Sequence, residues 1–137
     1  MTGTRTILVS LVVAVTVASC IGGSDRPDPQ VVARGAELYQ QSCVQCHGGP
    51  NGGEISDIPP VHNANGHTWH HSDCLLHEII RDGLPPRADP DHPVMPGYGD
   101  EFTEEEIDAV LANIRTWWTP EQQAQQAAVT AETCPST

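Results

Sequence analysis

Cys43-Val44-Gln45-Cys46-His47 is the stretch that decides how this chain is read. Two thiols one helical turn apart, followed at once by an imidazole, can add to the two vinyl groups of one haem while the His ligates iron. A thioredoxin-like redox pair and half of a zinc site share the C-x-x-C spacing. The redox pair should follow a strand and open a helix in a βαβ setting. Here the preceding apolar or small residues, Val32, Gly35, Leu38, Tyr39 and Cys43, recur on one helical face. A zinc site would need two more ligands in a recognisable cluster. One covalent haem c, held by Cys43 and Cys46 with His47 on the iron, is the expectation.

Working outward, residues 51–66 carry Gly and Pro with no sustained period and should wrap as irregular loop. Ser72 or Asp73 can cap a second helix with apolar positions Leu75, Leu76, Ile79 and Ile80, and Gly83 is placed to stop it. Residues 85–99 contain five prolines and suit neither helix nor central strand. Thr103 and Glu106 form a capping box, after which Ile107, Val110, Leu111, Ile114 and Trp118 define a third helix. Thr119-Pro120 restarts a polar, Ala/Gln-rich helix to about Val129, expected on the surface. The fold class is therefore all-α, three to five short helices around the haem. An aromatic content of 4% with 12 Gly and 12 Pro leaves too few large side chains to fill such a core unaided.

The second axial position separates electron transfer from ligand binding. Met95, in Val94-Met95-Pro96-Gly97-Tyr98, joins no helical period and is the expected distal ligand, with His92 the competitor. Gly66-His67-Thr68-Trp69-His70-His71-Ser72-Asp73 is the densest polar cluster. Trp69 and His70 are candidate hydrogen-bond donors to haem propionates, as is Arg87. A copper or zinc site from His62, His67, His70 and His71, and a merely solvated loop, are the alternatives.

At the other end, Arg5 precedes an apolar run over residues 7–18, too short for a bilayer span of about 20 helical residues. The run reads as a signal peptide over residues 1–19. Val17-Ala18-Ser19-Cys20 resembles a bacterial lipobox, which implies diacylation of Cys20; an uncleaved anchor or ordinary cleavage is the alternative. Residues 20–30 would then be a lipidated tether, 31–118 the haem domain, and 119–137 a C-terminal helix and tail. Cys74 and Cys134 remain after lipid and haem take the other three of five Cys, and an even remainder in an oxidising compartment predicts a disulfide.

With the motifs in hand, residues 31–118 resemble the small class I cytochromes c. Gly35 and Tyr39 match the Gly and aromatic of that family's first helix, Met95-Pro96-Gly97 its Met loop, and Ile114-Arg115 its last helix. Pro59-Pro60-Val61 is similar to the loop whose Pro carbonyl accepts from the proximal His, which implies Pro59 as the partner of His47. Asn113 stands where the family often has an aromatic, and Trp117 or Trp118 would supply the bulk.

Acidic residues outnumber Arg 18 to 6 and no Lys is present, giving a formal charge of −12. Loss of Arg5 with the signal peptide makes it −13. Nucleic acid is excluded as a partner, and a redox protein with a basic docking face is expected. A haem with both axial positions filled passes single electrons by Fe(II)/Fe(III) cycling without substrate turnover of its own. The leading expectation is a membrane-anchored electron carrier between respiratory or photosynthetic partners, held by its lipid on the extracytoplasmic face of a bacterial membrane, in the periplasm or at the cell surface. A subunit of a larger oxidoreductase or terminal oxidase is the alternative, and a gas or redox sensor would require weakly bound Met95.

Overall fold

The computed structural model describes residues 27–51, 59–86 and 94–135. The signal peptide, Cys20, Arg87 and His92 lie outside the described residues, as does most of the proposed tether. Five α-helices follow in order: α1 (Pro29–Ser42), α2 (Val44–His47), α3 (Asp73–Asp82), α4 (Glu104–Arg115) and α5 (Pro120–Thr133), with a 3₁₀ turn over Thr68–His70 before α3. Among the described residues there is no strand, and the fold is the all-α arrangement of a small cytochrome c.

Polar start signals open α1 two residues before its first apolar position. Asp28 accepts from the Gln30 N–H at 2.8 Å and Pro29 occupies the first turn, where its missing N–H has no helical partner to lose. The helix therefore takes Pro29 and Gln30 from the stretch assigned to the tether. Its buried face, Gly35, Leu38 and Tyr39, packs across α4. At Gly35 the two backbones touch: a Cβ there would collide with the Ala109 carbonyl. Arg34 and Glu106 tie the crossing from outside at 2.6 Å.

Thr103 and Glu106 form the reciprocal cap of α4, with N···O distances of 3.2 and 3.1 Å. Ile107, Val110, Leu111 and Ile114 are almost wholly buried and form the core with Leu38, Tyr39, Leu76, Ile80 and Trp118. Helix α4 ends at Arg115, so Trp118 does not continue it as the spacing predicts. Thr119 precedes Pro120 and is held extended, which forces the chain out of the helix beforehand. Trp118 is nonetheless buried and donates its indole N–H to the His62 carbonyl at 2.8 Å. Trp117 meets Tyr39 edge-on, with ring centroids 4.8 Å apart, and brings an aromatic to the α1–α4 crossing near the buried Asn113.

Ser72 is the N-cap residue of α3, and Gly83, at φ 75°, ends it. Helix α5 does not lie free on the surface, and it runs past Val129 to Thr133. It packs on the 3₁₀ turn and on α3 through a polar face: Gln126 is buried and donates to Asp73 at 2.5 Å, and the Thr130 hydroxyl accepts from the Asp73 N–H at 3.0 Å. Arg115 pairs with the same carboxylate. Cys74 and Cys134 form a disulfide, joining the first turn of α3 to the residue after α5.

Candidate functional site

The C-x-x-C-H segment lies where α1 stops and α2 begins. The Cys43 N–H still bonds the Tyr39 carbonyl, while the N–H groups of Cys46 and His47 turn back to the Cys43 carbonyl at 3.2 and 3.0 Å. One tight turn thus separates the two thiols. Tyr39 anchors its far end, its hydroxyl donating to the Gly48 carbonyl at 2.9 Å, and burial raises its phenol above the usual range. Burial, with Cys46 nearby, pushes the Cys43 thiol up to about 11, so it stays neutral.

His47 is buried, with Nδ1 2.7 Å from the carbonyl of Pro60. This corrects the expectation of Pro59: the adjacent proline's carbonyl meets the ring, and Pro59 lines the cavity beside it. With Nδ1 donating, Nε2 is the nitrogen left with its lone pair. Burial holds His47 below the ordinary imidazole value, against the opposing effect of the Pro60 bond. His62 stacks on the His47 ring at 4.2 Å and is pushed down to about 3 by burial, then by His47 and His67. It is a neutral ring.

Cys43, Cys46 and His47 line a cavity of about 390 Å³, within the usual range for small-molecule and cofactor sites. Leu76, Ile79, Ile80, Leu111 and Ile114 supply its apolar wall from α3 and α4. Met95 reaches the same cavity from the Pro-rich segment, which is fastened to the end of α3. The Leu84 N–H bonds the Met95 carbonyl at 3.0 Å, the Tyr98 N–H bonds Ile80, and the Tyr98 hydroxyl donates to Ser42 beside the thiols. The close approach depends on Gly83, where a Cβ would strike the Met95 carbonyl and the Gly97 nitrogen.

The polar cluster divides differently from the sequence expectation. Trp69 donates its indole N–H to the Gly66 carbonyl at 2.9 Å, three residues back, so that donor is already used within the loop. His70 is exposed, lies against Trp69 with ring centroids 3.7 Å apart, and does not line the cavity. His62, His67, Thr68 and His71 do. Among the described residues, no three His, Cys, Asp or Glu side chains converge to hold a metal ion, which does not support the copper or zinc alternative.

The family described as cytochrome C oxidase, cbb3-type, subunit III matches residues 30–114. The chain belongs to that family. It is a c-type cytochrome domain that carries covalent haem c and works in haem-based electron transfer, outside the cytoplasm. No match is found among curated proteins or among solved structures. The match to the cbb3 subunit III family ends before α5 and Cys134, which lie beyond it. The donor set fits the haem: two thiols, an imidazole with its outer nitrogen anchored, a thioether and an apolar wall share one cavity. No helix among the described residues is long and apolar enough to cross a membrane.

Proposed function

We propose that this chain is a membrane-anchored monohaem cytochrome c that passes single electrons between redox partners. Cys43 and Cys46 hold the haem through thioethers, His47 is the proximal iron ligand, and Met95 is the distal one. The supporting observation is that these four side chains line one cavity although Met95 lies 48 residues beyond His47 in sequence. When bound, haem c supplies one-electron cycling between Fe(II) and Fe(III). The chain's residues do the rest: Pro60 orients the His47 ring, the apolar wall excludes water, and Gly83 brings the Met95 loop against α3. With Met95 and His47 both committed, no position is left for oxygen or peroxide, and the protein acts as a carrier.

The oxidised protein should show the weak far-red band of thioether ligation to low-spin Fe(III), and Met95→Ala should abolish it. The reduced wild type should leave its spectrum unchanged in carbon monoxide, whereas the variant should bind the gas. A band that survives the substitution transfers the distal role to another ligand such as His92.

Anchoring rests on Cys20, the lipidated first residue of the chain once residues 1–19 are removed. Several acyl chains are required, because one alone gives only marginal binding. Cys20→Ser should release a protein with its haem intact into the soluble extracytoplasmic fraction. Mass spectrometry of the mature N-terminus checks the step, and an unmodified Cys20 would exclude it.

The family match supports a second reading, in which the domain is a subunit of a membrane oxidase complex. Stable co-purification with other subunits separates it from the free carrier. The formal charge of −12 supports a partner with a basic docking face, while Leu84 and Val94, exposed on the cavity wall, offer it an apolar contact.

A further inference from the structure

A single hydrogen bond does not fix an imidazole. The Pro60 carbonyl, 2.7 Å from His47 Nδ1, sets where that edge of the ring lies. A carbonyl oxygen accepts over a broad range of directions, however, and lets the ring plane roll about the contact. The roll matters once iron is bound. The π orbital of the ring stands perpendicular to its plane and overlaps the iron d orbital lying that way, so the ring's angle about the iron–nitrogen bond sets how the unpaired electron of low-spin Fe(III) spreads over the haem. A loose plane gives a distribution of electronic states in place of one.

His62 supplies the restraint that the hydrogen bond lacks. Its ring lies against that of His47, with centroids 4.2 Å apart and planes inclined by 24°. One flat face packed on another resists the roll directly. His62 follows Pro60 by two residues, so one short stretch of chain holds the proximal imidazole by an edge and by a face.

A stacking partner holds a plane only if it is held itself, and His62 is tied to three other segments. Its Nδ1 lies 2.8 Å from the hydroxyl of Thr68, buried at the start of the 3₁₀ turn. Its backbone carbonyl accepts the Trp118 indole N–H at 2.8 Å, from beyond the end of α4. Tyr39 of α1 meets the ring edge-on, with centroids 6.1 Å apart, and is braced in turn by Trp117. Tyr39 and Trp118 do not line the cavity, whereas His62 does, so these supports reach the cavity through the His62 ring.

Building on the haem reading, we propose that His62 is a positioning residue for the proximal ligand: stacked on His47, it fixes the plane in which the imidazole meets the iron. Partners around a ligating imidazole commonly set its orientation through hydrogen bonds. Here the Pro60 carbonyl takes the edge, and a second imidazole takes the face. The consequence falls on electron transfer, because one ring angle gives one reduction potential and a spread of angles gives a spread of potentials.

Low-temperature electron paramagnetic resonance of the oxidised holoprotein tests this, with the haem methyl proton resonances beside it. Wild type should give one sharp low-spin species. His62→Leu fills the space without a flat face and should broaden or split that signal while the covalent haem spectrum persists. His62→Phe restores a flat ring and should return a single sharp species. Thr68→Val loses the hydroxyl that tethers His62 and should fall between wild type and His62→Leu. If filling the space were all that mattered, Leu and Phe would behave alike; equal signals for the two, or a His62→Leu signal as sharp as wild type, overturn the proposal. Loss of low-spin haem in His62→Phe overturns it differently, by making His62 an iron ligand. If His62→Leu fails to accumulate, nuclear Overhauser contacts in the reduced, diamagnetic wild type decide. Cross-peaks between the His47 and His62 ring protons support the stack, and their absence refutes it. Failure of the haem reading is distinguishable, since wild type itself would then show no covalent haem spectrum.

Discussion

Replacing Cys43 and Cys46 together by Ser will give a protein from which acidified acetone extracts all of the haem, whereas wild type will retain it. The effect is all or none because the attachment is covalent and the two Sγ atoms are its only anchors. Each single variant should retain the haem through one thioether, at lower yield. Burial keeps the Cys43 thiol neutral, its value pushed up to about 11, and the thiolate is the form that enters disulfide exchange. Haem also fills the centre of the fold. An enclosed void costs about 24 cal/mol per Å³, so the cavity of about 390 Å³ would correspond to about 9 kcal/mol. Water entering an open mouth lowers that figure, yet half of it still rivals the about 5–15 kcal/mol net stability of a small protein. Haem-free protein should therefore melt without a sharp cooperative transition, as followed by near-UV circular dichroism. A sharp transition in the double variant would mean that α1, α3 and α4 hold one another without the cofactor.

The chemistry of the site was more legible than its walls. Cys43, Cys46 and His47 were readable because thioether formation and iron ligation demand that spacing, and the Thr103–Glu106 box because capping uses side chains at fixed offsets. Choosing between Pro59 and Pro60 depends on which carbonyl the loop path turns inward, and no side-chain pattern carries that. His70 and Trp69 were singled out while His67 and His71 line the cavity, because an aperiodic run gives no facing direction until its turn is known. Trp69 could not have been assigned by composition either: its N–H finds a carbonyl three residues back. Helix α5 lies at the surface as expected, but its docking went unread for a different reason. Its buried side is Gln126 with Thr130, so hydrophobic periodicity registers nothing although the helix is docked. The partner that makes a polar face worth burying, Asp73, lies 53 residues earlier.

Loss of the Cys74–Cys134 disulfide will lower stability by about 4 kcal/mol while leaving the haem spectrum at room temperature unchanged. The bridge closes a span of 60 residues that encloses α3, α4 and α5. In the chain-entropy model, opening such a loop returns about 4 kcal/mol of freedom to the unfolded chain. Neither cysteine lines the cavity, so the iron's surroundings should persist. Helix α5 keeps other attachments: Gln126 and Thr130 to Asp73, and Gln122 to the Ala64 carbonyl at 2.9 Å. Each is worth about 0.5–1.5 kcal/mol net, enough together to keep the helix docked in the native state but not to replace the bridge. Since about 1 kcal/mol shifts the midpoint of a domain this size by about 4–8 °C, a Cys74→Ser, Cys134→Ser variant should melt about 15–30 °C lower. Thermal melts of the haem-loaded variant, beside wild type with and without reductant, measure the difference. An unchanged midpoint would show that the bridge does not constrain the unfolded chain. A loss well beyond about 4 kcal/mol would mean that the bridge also secures the packing of α5 on the Thr68–His70 turn.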